Sequence, residues 1–476
     1  MQFSNINMKL TTACLLLGTG SISSAYMVAE NTKGTNIIVF LIDDAGYADF
    51  GFMGSKDLKT PNIDKLAKDG VIFTDAHVSA TVSGPSRAGI LTGRYQQRFG
   101  FECNPDDDKS GIALSESTIA NAMKMANYTT AAFGKWHMGS GVGYRPNERG
   151  FDYFWGFLSG GRGYFPNDKN DVPNGSHAVY ENLKQTKFTG YLTDVLAEKA
   201  AEFIHKNTNN PFFIYWSPNA VHTPMEATAE DLNRFKGHPR QSLAAMTWAL
   251  DRSVGKIVAQ LKKDKLYDNT LMFFLSDNGG SPENTSSNLP LKGFKGNKYE
   301  GGMRIPFFVT WKKQLNSNTR FDGLSSSLDI FATAIDVANY KGKLKNPIDG
   351  VSLIPYLKNE ISGDPHSVLF WRKDKCMAIR MGEYKLININ NLPIVMYNLK
   401  SDLKETKNLA LIEQKQTEIL YNSMKKWSEE MIDPLWTEGK SWDTITWMIH
   451  QDLINNRKVR LTNLSQLKQY KTAKKK

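Results

Sequence analysis

Two acidic pairs are the first residues in this chain whose types could do chemistry together. Asp43-Asp44 ends an apolar run that starts at Asn36, and Asp277-Asn278 ends another over residues 271–276. Three carboxylates and an amide oxygen are hard ligands, suited to Ca²⁺ or Mg²⁺ and unsuited to Zn²⁺, which takes His or Cys. Either pair alone reads as turn chemistry. Two pairs at matching ends of different strands are not easily explained that way. Between them lies Ser83-Gly84-Pro85-Ser86-Arg87, followed by Leu91-Thr92-Gly93-Arg94. Pro85 predicts an extended Gly84, and Ser86 reads as the N-cap of a short helix through Arg87, Ile90 and Leu91. That would place Ser83 just before a helix N-terminus, where free N–H groups and the macrodipole favour an anion. The remaining groups are Lys135 and His137 in Gly134-Lys135-Trp136-His137, His222 before Thr223-Pro224, and Lys295 at the head of a Gly-rich stretch ending at Arg304. Singly, each reads as a solvated or satisfied side chain. Together they supply the fixed positive groups that transfer of a charged group requires.

Short apolar runs alternating with amphipathic helices must position these groups. Residues 36–43 (NIIVFLID), 129–133, 211–216, 271–276 and 306–311 read as buried strands, apolar on both faces, which suits a parallel sheet. Thr60 caps a helix with Pro61 at N1 and Gly70 at its end. Ser115 begins a second, with Ile119, Ala122, Met123 and Ala126 on one face. A third carries Leu192, Leu196, Ala200 and Phe203, and a fourth Leu243, Met246, Leu250, Val254, Ile257 and Leu261. The order predicts an α/β fold with a doubly wound, mostly parallel sheet flanked by helices over residues 26–364. Such sheets bind ligands beyond the carboxyl ends of their strands. Asp43-Asp44, Lys135-Trp136-His137, His222 and Asp277-Asn278 should therefore converge on one rim.

Past about residue 365 the pattern changes to short strands at 368–372, 376–381, 384–389 and 395–398, then a helix over 412–431 and a Trp-bearing, later basic tail. This predicts a smaller α+β subdomain on an antiparallel sheet over 365–476. The composition is globular: 476 residues, 41% hydrophobic and 22% charged, with 25 Phe, 18 Tyr and 10 Trp. The formal charge of +11 suits a polyanionic substrate, though charge alone does not choose between sulfated glycan and nucleic acid. Lys9 before an apolar run, with Ser23, Ser24 and Ala25 ahead of Tyr26, reads as a secretory signal over 1–25. The poor lipobox around Cys14 favours plain cleavage over a lipoprotein, and no later run is long enough to span a bilayer. The mature chain would keep Cys103 and Cys376, which make no disulfide framework.

The signature at Ser83 resembles that of the type I sulfatases, S/C-x-P-S-R followed by L-T-G-R, in its serine-start form. Gly134-Lys135-Trp136-His137 fits the family's G-K-W-H, Val221-His222-Thr223-Pro224 its H-x-P element, and residues 295–304 its K-G-x-x-Y-E-G-G-x-R element. The resemblance implies an alkaline phosphatase superfamily fold and hydrolysis of sulfate esters. It implies that Ser83 is oxidised to formylglycine by a radical, serine-type maturase, whose aldehyde hydrate is the nucleophile. It assigns Asp43, Asp44, Asp277, Asn278 and modified Ser83 to one divalent ion, usually calcium, with magnesium possible. Arg87 would steady the hydrate, Lys135 and Lys295 would hold sulfate oxygens, His137 would be the base and His222 the acid. Ser159 stands near the place of a further active-site serine. Arg162 and His177, around the Gly-rich residues 160–165, are substrate-contact candidates, and Arg304 should brace a loop.

The expected function is a periplasmic or secreted bacterial sulfatase acting on a sulfated poly- or oligosaccharide, with no nucleic acid partner and no membrane span. Two alternatives stand beside it: a phosphomonoester or phosphonate hydrolase of the same superfamily, and a non-catalytic binder of sulfated glycans.

Overall fold

Strand Asn36–Ile42 shows why the sheet is covered on both sides. Ile37, Val39 and Leu41 belong to one hydrophobic core, and Ile38, Phe40 and Ile42 to a second. Successive strand residues face opposite ways, so an unbroken apolar run has to be buried twice. Helices Ser83–Thr92, Ile119–Met125 and Asp329–Val337 pack on the first face. Pro61–Lys68, Leu192–Lys206 and Gln241–Lys263 pack on the other. This computed structural model describes residues 34–105 and 108–473. The expected signal peptide and the last three lysine-rich positions lie outside the described residues.

Among the described residues the central sheet has ten strands. Asn36–Ile42 lies mid-sheet, parallel to Phe212–Ser217 on one side and Thr270–Ser276 on the other. Thr129–Lys135 pairs in parallel with Phe212–Ser217 and with Tyr153–Phe157, a strand the sequence reading passed over. Phe307–Thr310, expected within the parallel set, runs antiparallel to both of its neighbours. The residues between Ser276 and Arg304 stay on the carboxyl-end rim, so the next strand leaves from that rim and must run back. The helix expected from Ser115 begins at Ile119 instead. Thr118 caps it, accepting from Asn121 N while Asn121 Oδ1 accepts from Thr118 N.

Val368–Lys373, Cys376–Met381, Tyr384–Ile389 and Val395–Asn398 form the expected four-stranded antiparallel sheet. Helix Gln414–Glu429 lays Leu420 and Met424 on Ile379, Leu386 and Met396. The sheet is also tied to the larger core: Trp371 Nε1 donates to Val78 O at 2.6 Å, and Gln97 Nε2 to Arg372 O at 2.7 Å. The stretch expected to be a tail is folded. Helix Lys440–Ile454 buries Ile445, Met448, Ile449 and Leu453 in the first core, and helix Leu464–Ala473 follows it. Apolar residues three and four apart are an amphipathic signal, which the reading of a basic tail overlooked. Cys103 and Cys376 are free thiols, and no helix among the described residues is long and apolar enough to cross a membrane.

Candidate active site

Strand register builds the floor of the site. Ile42 pairs with Ser276, so Asp43 and Asp277 leave the sheet side by side, and Asp277 N donates to Ile42 O at 2.8 Å. Asp44 sits at φ 59°, a left-handed conformation that Asp tolerates better than most residues. Each of Asp43, Asp44 and Asp277 is buried and offers a carboxylate oxygen within 4.8 Å of the others. Asn278 joins them through its Nδ2, which donates to Asp44 Oδ1 at 2.8 Å. The Ser83 hydroxyl lies 3.3 Å from Asp43 Oδ1 and 3.2 Å from Asn278 Oδ1. The four oxygen-bearing residues and Ser83 therefore converge, as the strand-end argument requires.

The signature itself differs in detail from the sequence reading. Val82 is the extended N-cap, Ser83 is the first helical residue, Gly84 is helical and Ser86 lies inside the first turn. N–H groups of a first helical turn have no partner within the helix, so Pro85 costs no hydrogen bond there. Gly84 N donates outward to Asn104 Oδ1 at 2.9 Å. Four residues after Ser83, on the same helix face, Arg87 is fully buried. Its Nε and Nη2 donate to Asp277 Oδ2 at 3.0 and 2.8 Å, and its Nη1 to Ser217 Oγ.

The other cations arrive from the same rim. Lys135, the last residue of its strand, donates Nζ to both oxygens of Asp43 at 3.0 and 2.8 Å. Lys295 donates Nζ to Asp44 Oδ2 at 2.8 Å. His222 gives Nδ1–H to Thr223 O at 2.7 Å and holds Nε2 3.6 Å from Asp44 Oδ2. Lys295 and His222 keep side-chain exposures of 21% and 22%, whereas Arg87 and Lys135 have none, so the first pair faces the mouth and the second lies in the floor. Burial pushes the Asp43 carboxyl up, but Lys135, His222 and Arg87 outweigh it and hold the group below its ordinary range. Asp44 is lowered in the same way, chiefly by Lys295 and His222 against burial. Burial opposes the charge on Lys295, yet Asp44, Asp43 and Asp277 raise it above the usual ammonium range.

His137 is neutral at physiological pH. Burial, then Lys135, Arg87, Lys295 and His222, push its imidazolium form well below the ordinary histidine range. Its Nδ1 is buried without a hydrogen-bond partner among the described residues. Gly160 lies against the ring so closely that an added Cβ would stand 2.4 Å from Nε2. The sequence reading has Gly160 only as one of the Gly-rich residues 160–165. It gives no positioning role to Tyr164, whose single hydroxyl proton is shared between the carbonyls of Asn219 (2.6 Å) and His222 (2.7 Å) and so fixes the turn carrying His222. Asn284 was missed too; its Nδ2 bridges Asp44 O and Val221 O at 3.1 and 2.9 Å. A conformation-setting role leaves no local pattern in a single sequence, and only the packed loops reveal it.

Of the three substrate-contact candidates, Ser159 turns its hydroxyl to Gly161 O at 2.9 Å, and His177 is half-buried. Arg162 is buried, with its guanidinium given to the carbonyls of Gly163, His177 and Phe165. It braces the Gly-rich loop from beneath rather than reaching into open space. Arg304 braces its own loop as expected, through Thr74 O, Asp75 and Glu300.

Residues 35–340 of this chain match the family profile described as Sulfatase. The chain belongs to the sulfatase family. It is a sulfuric ester hydrolase of the alkaline phosphatase superfamily. Residues 294–433 of this sulfatase match a second profile, N-sulphoglucosamine sulphohydrolase, C-terminal. It is 33% identical over 401 residues to the uncharacterized sulfatase YdeN of Escherichia coli K12, covering 72% of this chain and 69% of that one. The mouse N-acetylgalactosamine-6-sulfatase is 32% identical over 386 residues, covering 75% and 73%. Among solved structures, Ps i-CgsB in complex with k-i-k-neocarrahexaose superposes with a TM-score of 0.81 at 37% identity, covering 87% of this chain and 97% of that one.

Proposed function

We propose that this sulfatase removes sulfate esters from a sulfated poly- or oligosaccharide outside the cytoplasm, with Ser83 converted to formylglycine. The observation that carries this is the placement of the Ser83 hydroxyl. It touches side-chain oxygens of Asp43 and Asn278 from two strand ends, among three carboxylates that face Arg87 and Lys135 in the floor and Lys295 at the mouth. The chemistry of that donor set fits a hard divalent cation, Ca²⁺ or Mg²⁺, held by Asp43, Asp44, Asp277, Asn278 and residue 83. Such an ion supplies Lewis-acid polarisation of an ester oxygen and acidifies a neighbouring hydroxyl, and the formylglycine hydrate supplies the nucleophilic oxygen. The carbohydrate reading is supported by the relatives, which include an N-acetylgalactosamine-6-sulfatase and a structure holding a neocarrahexaose.

The chain's own residues divide the remaining work by position. Arg87, four residues past Ser83, fixes the direction of Asp277 and the electrostatics beneath the nucleophile. Lys135 and Lys295 are the ammonium groups able to hold sulfate oxygens. Neutral His137 can accept a proton. His222 has Nδ1–H committed to a carbonyl, so Nε2 is the nitrogen that meets the leaving oxygen at the mouth. The test uses enzyme co-expressed with a serine-type maturase. The Ser83 peptide should weigh two hydrogens less than its unmodified form, and inorganic sulfate should appear from a panel of sulfated oligosaccharides. Faster hydrolysis of aryl phosphate than aryl sulfate, or sulfate release from aryl esters but from no sugar, would overturn the reading.

A further inference from the structure

The mouth of the site opens into a cavity of about 370 Å³ that Asp44, His222 and Lys295 help to line. Its opposite wall is one face of helix Lys440–Ile454: Trp442, Ile445, Thr446 and Ile449 all border it, at the i, i+3, i+4, i+7 spacing that shares a helix side. These four residues lie beyond both regions of family likeness, which end at residues 340 and 433. The wall therefore stands outside the segments that those two profiles describe. Ile445 and Ile449 are buried, while Trp442 is half-buried, packed on the first core and stacked on no other ring among the described residues. Thr437 and the ion pair of Glu438 with Lys373 complete the rim with polar atoms. The helix is held in place relative to the catalytic loop, because His450 Nε2 accepts from Lys298 N at 3.1 Å, three residues beyond Lys295.

An apolar wall with a few polar groups at its edge matches a pyranose ring, whose C–H face is apolar and whose rim carries hydroxyls. The volume lies within the roughly 300–1,000 Å³ of small-ligand pockets, and an indole gives a large rigid platform with little conformational entropy to lose. We propose that helix Lys440–Ile454 forms a saccharide subsite for the sugar adjoining the scissile sulfate, with Trp442 as its stacking platform. This rests on the carbohydrate reading above. It assigns specificity for the sugar to a segment separate from the sulfate-binding floor.

The test is the ratio of kcat/KM for a sulfated oligosaccharide to kcat/KM for a small aryl sulfate. Trp442→Ala should lower this ratio at least tenfold, about 1.4 kcal/mol, mainly through KM for the oligosaccharide, and Trp442→Tyr should recover most of it. Thr446→Trp, which fills the cavity from the same helix face, should lower the ratio as well and remains informative if Trp442→Ala folds poorly. An unchanged ratio in Trp442→Ala and Thr446→Trp, with the wild type active on the oligosaccharide, would overturn the subsite and leave the carbohydrate reading standing. A wild type that cleaves the aryl ester and no sulfated sugar would instead remove the carbohydrate reading, and the subsite with it.

Discussion

Acid should loosen this protein through His450 more than through any surface histidine. His450 is buried, with Nδ1–H donating to Thr446 O at 2.7 Å and Nε2 accepting from Lys298 N at 3.1 Å, and the second bond requires the neutral ring. Burial, and pressure from Lys298, Lys373 and Lys385, lower its pKa from 6.5 to about 3. The unfolded chain therefore takes up this proton first as pH falls. Stability from His450 is complete above the ordinary value and is lost as pH drops from about 6.5 towards about 3. Each pH unit in that window is worth about 1.4 kcal/mol, so the loss reaches about 2 kcal/mol near pH 5. His450→Gln keeps an acceptor for Lys298 N but cannot titrate. It should cost about 1 kcal/mol at neutral pH for the altered hydrogen bonding. Urea unfolding, followed by tryptophan fluorescence between about pH 7.5 and about pH 5, should show the two stability curves crossing near about pH 6. If the variant loses stability as steeply as the wild type over that range, His450 is not the acid-sensitive group and the argument fails.

Gly160→Ala should displace His137 and lower kcat on an aryl sulfate by about a hundredfold, a loss in keeping with misplacing a catalytic group by about 1 Å; a thermal melt then checks that the fold survives. Asp277→Ala leaves the buried Arg87 with only Asp43, 3.4 Å away, as a counter-charge and should cost roughly 3 kcal/mol in urea unfolding, and a loss below about 1 kcal/mol would mean that the pair is solvated. A calcium chelator should lower the melting temperature and abolish sulfate release together. At an ion concentration about a hundred times its Kd, the stabilisation removed is about 2.7 kcal/mol, and Ca²⁺ should restore both readouts better than Mg²⁺.

What the sequence made legible follows the physics of each level. Strand ends were readable because a buried parallel strand is an apolar run, and Asp43, Lys135, His222 and Asp277 all stand at or just past such runs. Their convergence then followed from a rule about sheets. The direction of Phe307–Thr310 was hidden because an apolar run has the same pattern either way. Helix starts were misplaced where several capping residues cluster, as with Ser83 and Ser86 or Ser115 and Thr118. The positioning roles of Gly160, Tyr164 and Asn284 stayed invisible because their task is to place another residue through space. Arg162 looked like an anion contact because its charge was visible and its loop-carbonyl partners were not.

The burial of Ser83 has a consequence in time. The amide oxygen that meets its hydroxyl belongs to Asn278, just past a strand end that leaves the ribosome long after the signature helix. At about 5–20 residues per second, the interval between the two is on the order of 10–40 s. During it the Ser83 hydroxyl stands on a nascent chain whose far wall has not been synthesised. Any enzyme that remodels this side chain has that window, and once strand Thr270–Ser276 docks beside Asn36–Ile42 the door is shut from within.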